Sequence, residues 1–125
     1  MICFDTSIII YIGNGTLNEE IIGSDPICYA SITFIEAIGY SEILSAEEQR
    51  ITEFLATITE ISLSETIIRT ATRLRQLNKM TLGASIIAAT ALENGKVLWT
   101  ANIDDFKHIE GLELINPVNN SLYTD

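Results

Sequence analysis

The stretch MTLGASIIAATALENGKVLWTANIDDF (Met80–Phe106) decides the fold. From Ser85 to Leu92 it is small and apolar on every side, the pattern of a buried helix. Asn94-Gly95 supplies residues that tolerate positive φ where a helix ends. Lys96 to Thr100 then has the β-branched and aromatic content of a strand. Asn102, Asp104 and Asp105 follow at the carboxyl end of that strand, the place where ligands bind in open α/β sheets. The stretch predicts a buried helix feeding a central strand whose end carries chemistry.

Working towards the N-terminus, Ser64 is expected to cap a long helix with Ile67, Ile68, Ala71, Leu74 and Leu77 inward and Arg69, Arg73 and Lys79 outward. A weak strand is expected around residues 58–61. Ser45 and Glu48 have the spacing of a capping box, opening a helix that buries Ile51, Phe54 and Leu55. Ser31 is expected to cap a helix reaching about Leu44, after a strand over residues 27–30. The chain starts with a buried strand to Phe4, the polar break Asp5-Thr6-Ser7 and a helix ended by Gly13-Asn14-Gly15, with Thr16 capping a short second helix. Towards the C-terminus, a last strand near residues 112–115 stops at Pro117. Short strands alternating with longer helices predict an α/β domain with a mostly parallel sheet. Residues 1–118 are read as one domain and 119–125 as a polar tail.

Composition narrows the class. At 125 residues, with hydrophobic content of 47% and aromatics of 7%, the chain suits a single domain with an aliphatic core. No apolar run approaches the ~18 residues of a membrane span, and the N-terminus lacks the basic region of a signal peptide. Cys3 and Cys28, inside apolar runs, read as reduced core thiols of a cytoplasmic protein. The single His108 builds no histidine metal site. A net charge of −10 argues against a protein that grips nucleic acid by a basic face. Four of its seven basic residues, Arg69, Arg73, Arg75 and Lys79, nevertheless cluster.

The acids carry the chemistry. Asp5 ends the first strand, either facing the crevice or capping the next helix. Glu36 follows Ile32 by four residues on the edge of a stripe of Ile32, Ile35, Gly39 and Ile43; there it either reaches out to water or is buried, where an unpartnered carboxylate costs roughly several kcal/mol. A cation or hydrogen-bond partner is therefore expected beside it. Asp104 and Asp105 occupy an acidic loop, one of them facing solvent or capping a turn, and Asn102 either offers an oxygen to a metal or, as is commoner in turns, fixes the loop through side-chain-to-backbone bonds. Carboxylates from separate segments at strand ends suit Mg²⁺ or Mn²⁺, and the matching chemistry is phosphodiester hydrolysis. A receiver-type phosphoacceptor needs a strand-end Lys that these residues do not assemble.

In order and spacing, the markers Ile2-Cys3-Phe4-Asp5-Thr6-Ser7, Ser31 to Glu36, Leu82-Gly83-x-Ser85 to Leu92, Trp99 to Phe106 and Leu114-Ile115-Asn116-Pro117 resemble a PIN domain. The resemblance is to the toxin ribonuclease of a VapBC-type toxin–antitoxin pair, and it spans nearly the whole chain. It implies a three-layer domain with a central, mostly parallel five-stranded sheet flanked by helices. It further implies a Mg²⁺- or Mn²⁺-dependent endoribonuclease that cleaves RNA, forms homodimers and is silenced by a cognate antitoxin. By the resemblance, Asp5, Glu36 and Asp105 are catalytic and metal-binding. Ser7, Asn102 and Asp104 support them. Apart from the resemblance, the basic cluster is either the contact for RNA phosphates or a solvated helix face with ordinary charge pairs. Relatives carry an aspartate where this chain has Ala84, so the nuclease is expected to be impaired. The intact flanking Gly83 and Ser85 favour an engineered change over a natural inactive relative. The competing reading is a non-catalytic module that binds an antitoxin-like protein or RNA.

Overall fold

The computed structural model describes residues 1–119 and 121–123. Its strands are β1 (Ile2–Phe4), β2 (Ile27–Ala30), β3 (Thr59–Ile61), β4 (Val97–Trp99), β5 (Glu113–Asn116) and β6 (Ser121–Tyr123). Its helices are α1 (Thr6–Gly13), α2 (Ile32–Ile38), α3 (Ser45–Leu55), α4 (Glu65–Leu77) and α5 (Leu82–Glu93). The sheet order is β3-β2-β1-β4-β5-β6. The first five strands are parallel, and β6 pairs antiparallel to β5. The chain lays down β1, β2 and β3 in one direction, then returns to place β4 and β5 on the other side of β1. Strand order therefore reverses between β1 and β4, which opens a crevice at their carboxyl ends.

Side-chain alternation builds the layers. Cys3, Cys28 and Ala30 point to a core with Ile67, Ala71, Leu74, Ile87 and Ala88 of α4 and α5. Their strand neighbours Phe4, Ile27 and Tyr29 point the other way, to Ile8, Ile9, Ile51 and Phe54 of α1 and α3. Both faces are covered, so these strands are continuously apolar rather than alternating with polar residues. The two cysteines are free, buried and opposite one another in register on β1 and β2, in keeping with core thiols. Among the described residues no helix is long and apolar enough to cross a membrane.

The decisive stretch folds as its residues predict. Thr81 caps α5 through its hydroxyl, which accepts the Ala84 N–H at 3.1 Å. The helix stops at Asn94, and Gly95 follows at φ 108°. Lys96 also lies at positive φ, 65°, and its N–H closes on the Ala91 carbonyl at 2.8 Å.

Several local expectations are corrected. α2 ends at Ile38 rather than near Leu44: the Gly39 N–H makes the last helical bond, to the Ile35 carbonyl, and the Tyr40 N–H then turns back on the Ile38 carbonyl instead of continuing the ladder to Glu36. Ser31 makes no side-chain cap, being itself in the helical region. Ser45 is the first residue inside α3, with Leu44 in the cap position, so the capping box does not form. The short turn at Glu19–Ile22 is capped by Asn18, not Thr16. On α4, Ser64 caps as expected, and the inward stripe is Ile67, Ala71 and Leu74. Ile68 and Leu77 are 48% and 63% exposed, one step around the helix from the stripe that α5 covers. In the segment read as a polar tail, residues 121–123 form β6. Backbone pairing there covers the open edge of β5, while residues 120, 124 and 125 lie outside the described residues.

Candidate active site

The crevice between the β1 and β4 ends is a cleft of about 290 Å³ lined by Asp5, Ser7, Glu36, Ala84, Asn102 and Asp105, with Thr6, Thr81 and Phe106 among its other walls. Of the acids and supporting residues expected from sequence, only Asp104 stays out. It forms an exposed ion pair with Lys107 at 3.0 Å, because the short turn Ile103–Asp105 turns the two neighbouring acids in different directions.

Asp5 occupies the N-cap position of α1 but its side chain does not cap that helix. Its Oδ2 accepts hydrogen bonds from the Ser7 hydroxyl at 2.8 Å and the Thr100 hydroxyl at 2.7 Å. The residue is 5% exposed. Burial raises its pKa above the ordinary carboxylate value, the Thr100 and Ser7 hydrogen bonds pull the other way, and the Glu36 charge adds to the rise. Folding thus makes this carboxyl harder to ionise. Its unfavourable contribution is absent below the unfolded pKa, grows as pH rises through the folded pKa, and is complete above it. Asp5→Asn is accordingly expected to gain stability relative to the parent as pH rises from acid to neutral. Thermal melts of both across that range check this; a Tm difference that does not change with pH contradicts it.

Glu36 is exposed at the mouth of the cleft, not sunk in an apolar stripe. α2 instead buries Thr33 and Ala37, and Ile35 is 68% exposed. The expected hydrogen-bond partner is present. The Thr6 hydroxyl donates to Glu36 Oε1 at 2.7 Å and bonds the Thr33 hydroxyl at 3.1 Å. Thr6 has one hydrogen and gives it to the carboxylate, so Thr33 donates to Thr6. Glu36 Oε2 lies against Gly83, where an added Cβ would sit 2.3 Å from it. That glycine leaves the space in which the carboxylate rests beside the first turn of α5.

The basic candidates are elsewhere. Arg69 pairs with Glu65 at 2.9 Å, Arg73 donates to Gln76 at 3.5 Å, and Arg75 donates to the Met80 carbonyl at 3.3 Å. Lys79 is exposed just past α4, and none of the four lines the acidic cleft. Arg75 instead borders a separate, mostly apolar groove of about 480 Å³ with Leu63, Ile68, Leu82 and Ile86. Sequence reasoning missed Thr6, Thr100 and Gly83. The available signal was hydroxyl residues at the ends of two strands, Thr6-Ser7 and Thr100, each beside an acid or amide.

The donor chemistry of the cleft is oxygen only, the kind hard cations take. Among the described residues, however, no group of three His, Cys, Asp or Glu side chains converges closely enough to hold a metal ion. At position 84 the cleft wall is a methyl group, which adds no oxygen to the donor set of Asp5, Glu36, Asn102 and Asp105.

No family model matches the chain, and no curated protein matches it. Solved structures do. A toxin–antitoxin complex from Klebsiella pneumoniae contains a chain 30% identical to this one, covering 94% of this chain and 98% of that one with a TM-score of 0.77. VapBC2 from Rickettsia felis, bound to a DNA fragment from its promoter, is similar at 24% identity, 93% and 98% coverage and a TM-score of 0.79. DNA-bound VapBC from Salmonella typhimurium shares the fold at 19% identity, 91% and 96% coverage and a TM-score of 0.77. With this fold, this cleft at the strand reversal and that likeness over nearly the full length of both chains, the chain belongs to the PIN-domain toxins of the VapC type.

Proposed function

We propose that the protein is a toxin-type, metal-dependent endoribonuclease scaffold that is one acid short. The observation that carries this reading is that Asp5, Glu36, Asp105 and the methyl of Ala84 line one cleft at the strand reversal. An acid at position 84 would complete an oxygen-rich donor set of the kind that takes Mg²⁺ or Mn²⁺. The methyl group that Ala84 presents to this cleft supports an impaired nuclease. It equally favours the second reading, a non-catalytic module kept for binding. RNA cleavage by this chain and its Ala84→Asp form, titrated with Mg²⁺ and Mn²⁺ against EDTA, separates the two. Activity confined to the aspartate form supports the nuclease; silence in both supports the binding module.

The partner in either reading is an antitoxin protein, supported by the toxin–antitoxin assemblies among the similar structures. An acidic cleft is suited to a basic side chain from such a partner, through charge-assisted hydrogen bonds. Neutralising Glu36→Gln together with Asp105→Asn is expected to weaken antitoxin binding by roughly ten-fold or more. Calorimetric titration of the antitoxin reads this directly, and unchanged affinity would rule out that mode.

A further inference from the structure

Two hydroxyls at the cleft floor make a connected set of bonds that the acidic residues alone do not explain. Thr100, the residue after β4, is fully buried, and its N–H donates to the Ile115 carbonyl at 2.9 Å. Its hydroxyl donates to Asp5 Oδ2 at 2.7 Å and accepts the Asn102 N–H at 2.9 Å. Ser7, in the first turn of α1, does the same one residue earlier. Its hydroxyl donates to the same Asp5 oxygen at 2.8 Å and accepts the Ala101 N–H at 3.1 Å.

The direction of each bond is forced. A backbone N–H can only donate and an ionised carboxylate can only accept, so each hydroxyl uses a lone pair on the loop and gives its single hydrogen to Asp5. Consecutive amides of the loop after β4 are thereby tied, through two hydroxyls, to one carboxylate oxygen at the end of β1. Hydrogen bonds to an ionised carboxylate are about twice as strong as neutral ones. The tied loop runs straight into the turn at Ile103–Asp105, closed by the Asp105 N–H on the Asn102 carbonyl at 3.0 Å. Beyond it Phe106 is buried in the core below. Asn102 and Asp105 therefore reach the cleft from a segment held at one end by Phe106 and at the other by this clamp.

We infer that Ser7 and Thr100 are positioning residues, which join Asp5 and the loop carrying Asn102 and Asp105 into one preformed unit. Its catalytic consequence rests on the nuclease reading above; its structural content does not. The clamp is built without the side chain missing at Ala84, so an acid restored there meets a cleft already in register.

The test is amide hydrogen exchange on the chain as it stands, followed residue by residue by NMR. Thr100→Val keeps the shape and removes the hydroxyl, and is expected to speed exchange of the Asn102 amide by about ten-fold or more. Ser7→Ala should do the same for the Ala101 amide. Thr100→Ser should restore Asn102 protection, which a purely space-filling role would not require. Unchanged exchange at both amides, or Thr100→Ser behaving like Thr100→Val, overturns the proposal. Should Thr100→Val fail to fold, Ser7→Ala at its half-buried position decides alone. In the Ala84→Asp background the same substitutions are expected to lower kcat by about 10–100-fold with little change in KM. If Ala84→Asp does not cleave RNA, the nuclease reading falls while the exchange result still decides the clamp.

Discussion

Ala84→Asp is expected to raise Mg²⁺- or Mn²⁺-dependent RNA cleavage by about 100-fold or more, the scale on which losing or gaining one well-placed charged or polar group acts at an active site. The position is receptive. Ala84 is in the first turn of α5, its N–H bonded to Thr81, and it lines the cleft with Asp5, Glu36 and Asp105. A carboxylate near a helix N-terminus gains about 0.3–1 kcal/mol from the helix dipole, so the substitution suits the local backbone. The opposing term is repulsion from the acids already lining the cleft. Bound cation relieves that repulsion, and binding to the native state alone raises stability. The variant is therefore expected to gain Tm on addition of Mn²⁺ while the resident chain does not. Adding Glu36→Gln to the variant should return cleavage towards the resident level. A variant that neither cleaves RNA nor responds thermally to Mn²⁺ would show that the cleft is not a cation site even with its fourth acid.

Gly95→Ala is expected to cost about 3 kcal/mol, a value set by strained backbone and forced displacement rather than by lost contacts. Gly95 lies at φ 108°, a conformation that an L side chain rarely adopts. A Cβ there would stand 2.2 Å from the Met1 carbonyl oxygen and 3.1 Å from the Met1 carbonyl carbon. These are backbone atoms and cannot swing aside as a side chain does. Moving Met1 disturbs the start of β1, where the Ile2 N–H donates to the Pro26 carbonyl and Ile2 pairs with Val97. The far end of that three-residue strand carries straight into Asp5. Urea unfolding of parent and variant measures the cost. A loss within about 0.5 kcal/mol, ordinary for a surface substitution, would contradict this reading of the turn.

Local chemistry was enough to foresee the α/β alternation, a buried helix through residues 85–92, the turn at Asn94-Gly95 and the strand that follows. Each depends on periodicity and residue type within a dozen positions, which a sequence displays directly. Asp5 and Asp105 were legible through their places after strands, Glu36 as an acid on an otherwise apolar helix, and all three through the family resemblance. The gap at Ala84 was legible through the resemblance alone. What sequence alone could not settle was which face of a short helix meets the core. Ile35, Ile68 and Leu77 have the right spacing for burial, yet the neighbouring layer covers other rows. Nor could it pair Thr6 with Glu36, or Thr100 with Asp5 across 95 residues. A hydroxyl carries no signature of its partner. Its partner is fixed only when the sheet brings β1 beside β4 and burial leaves each donor and acceptor a single place to bond.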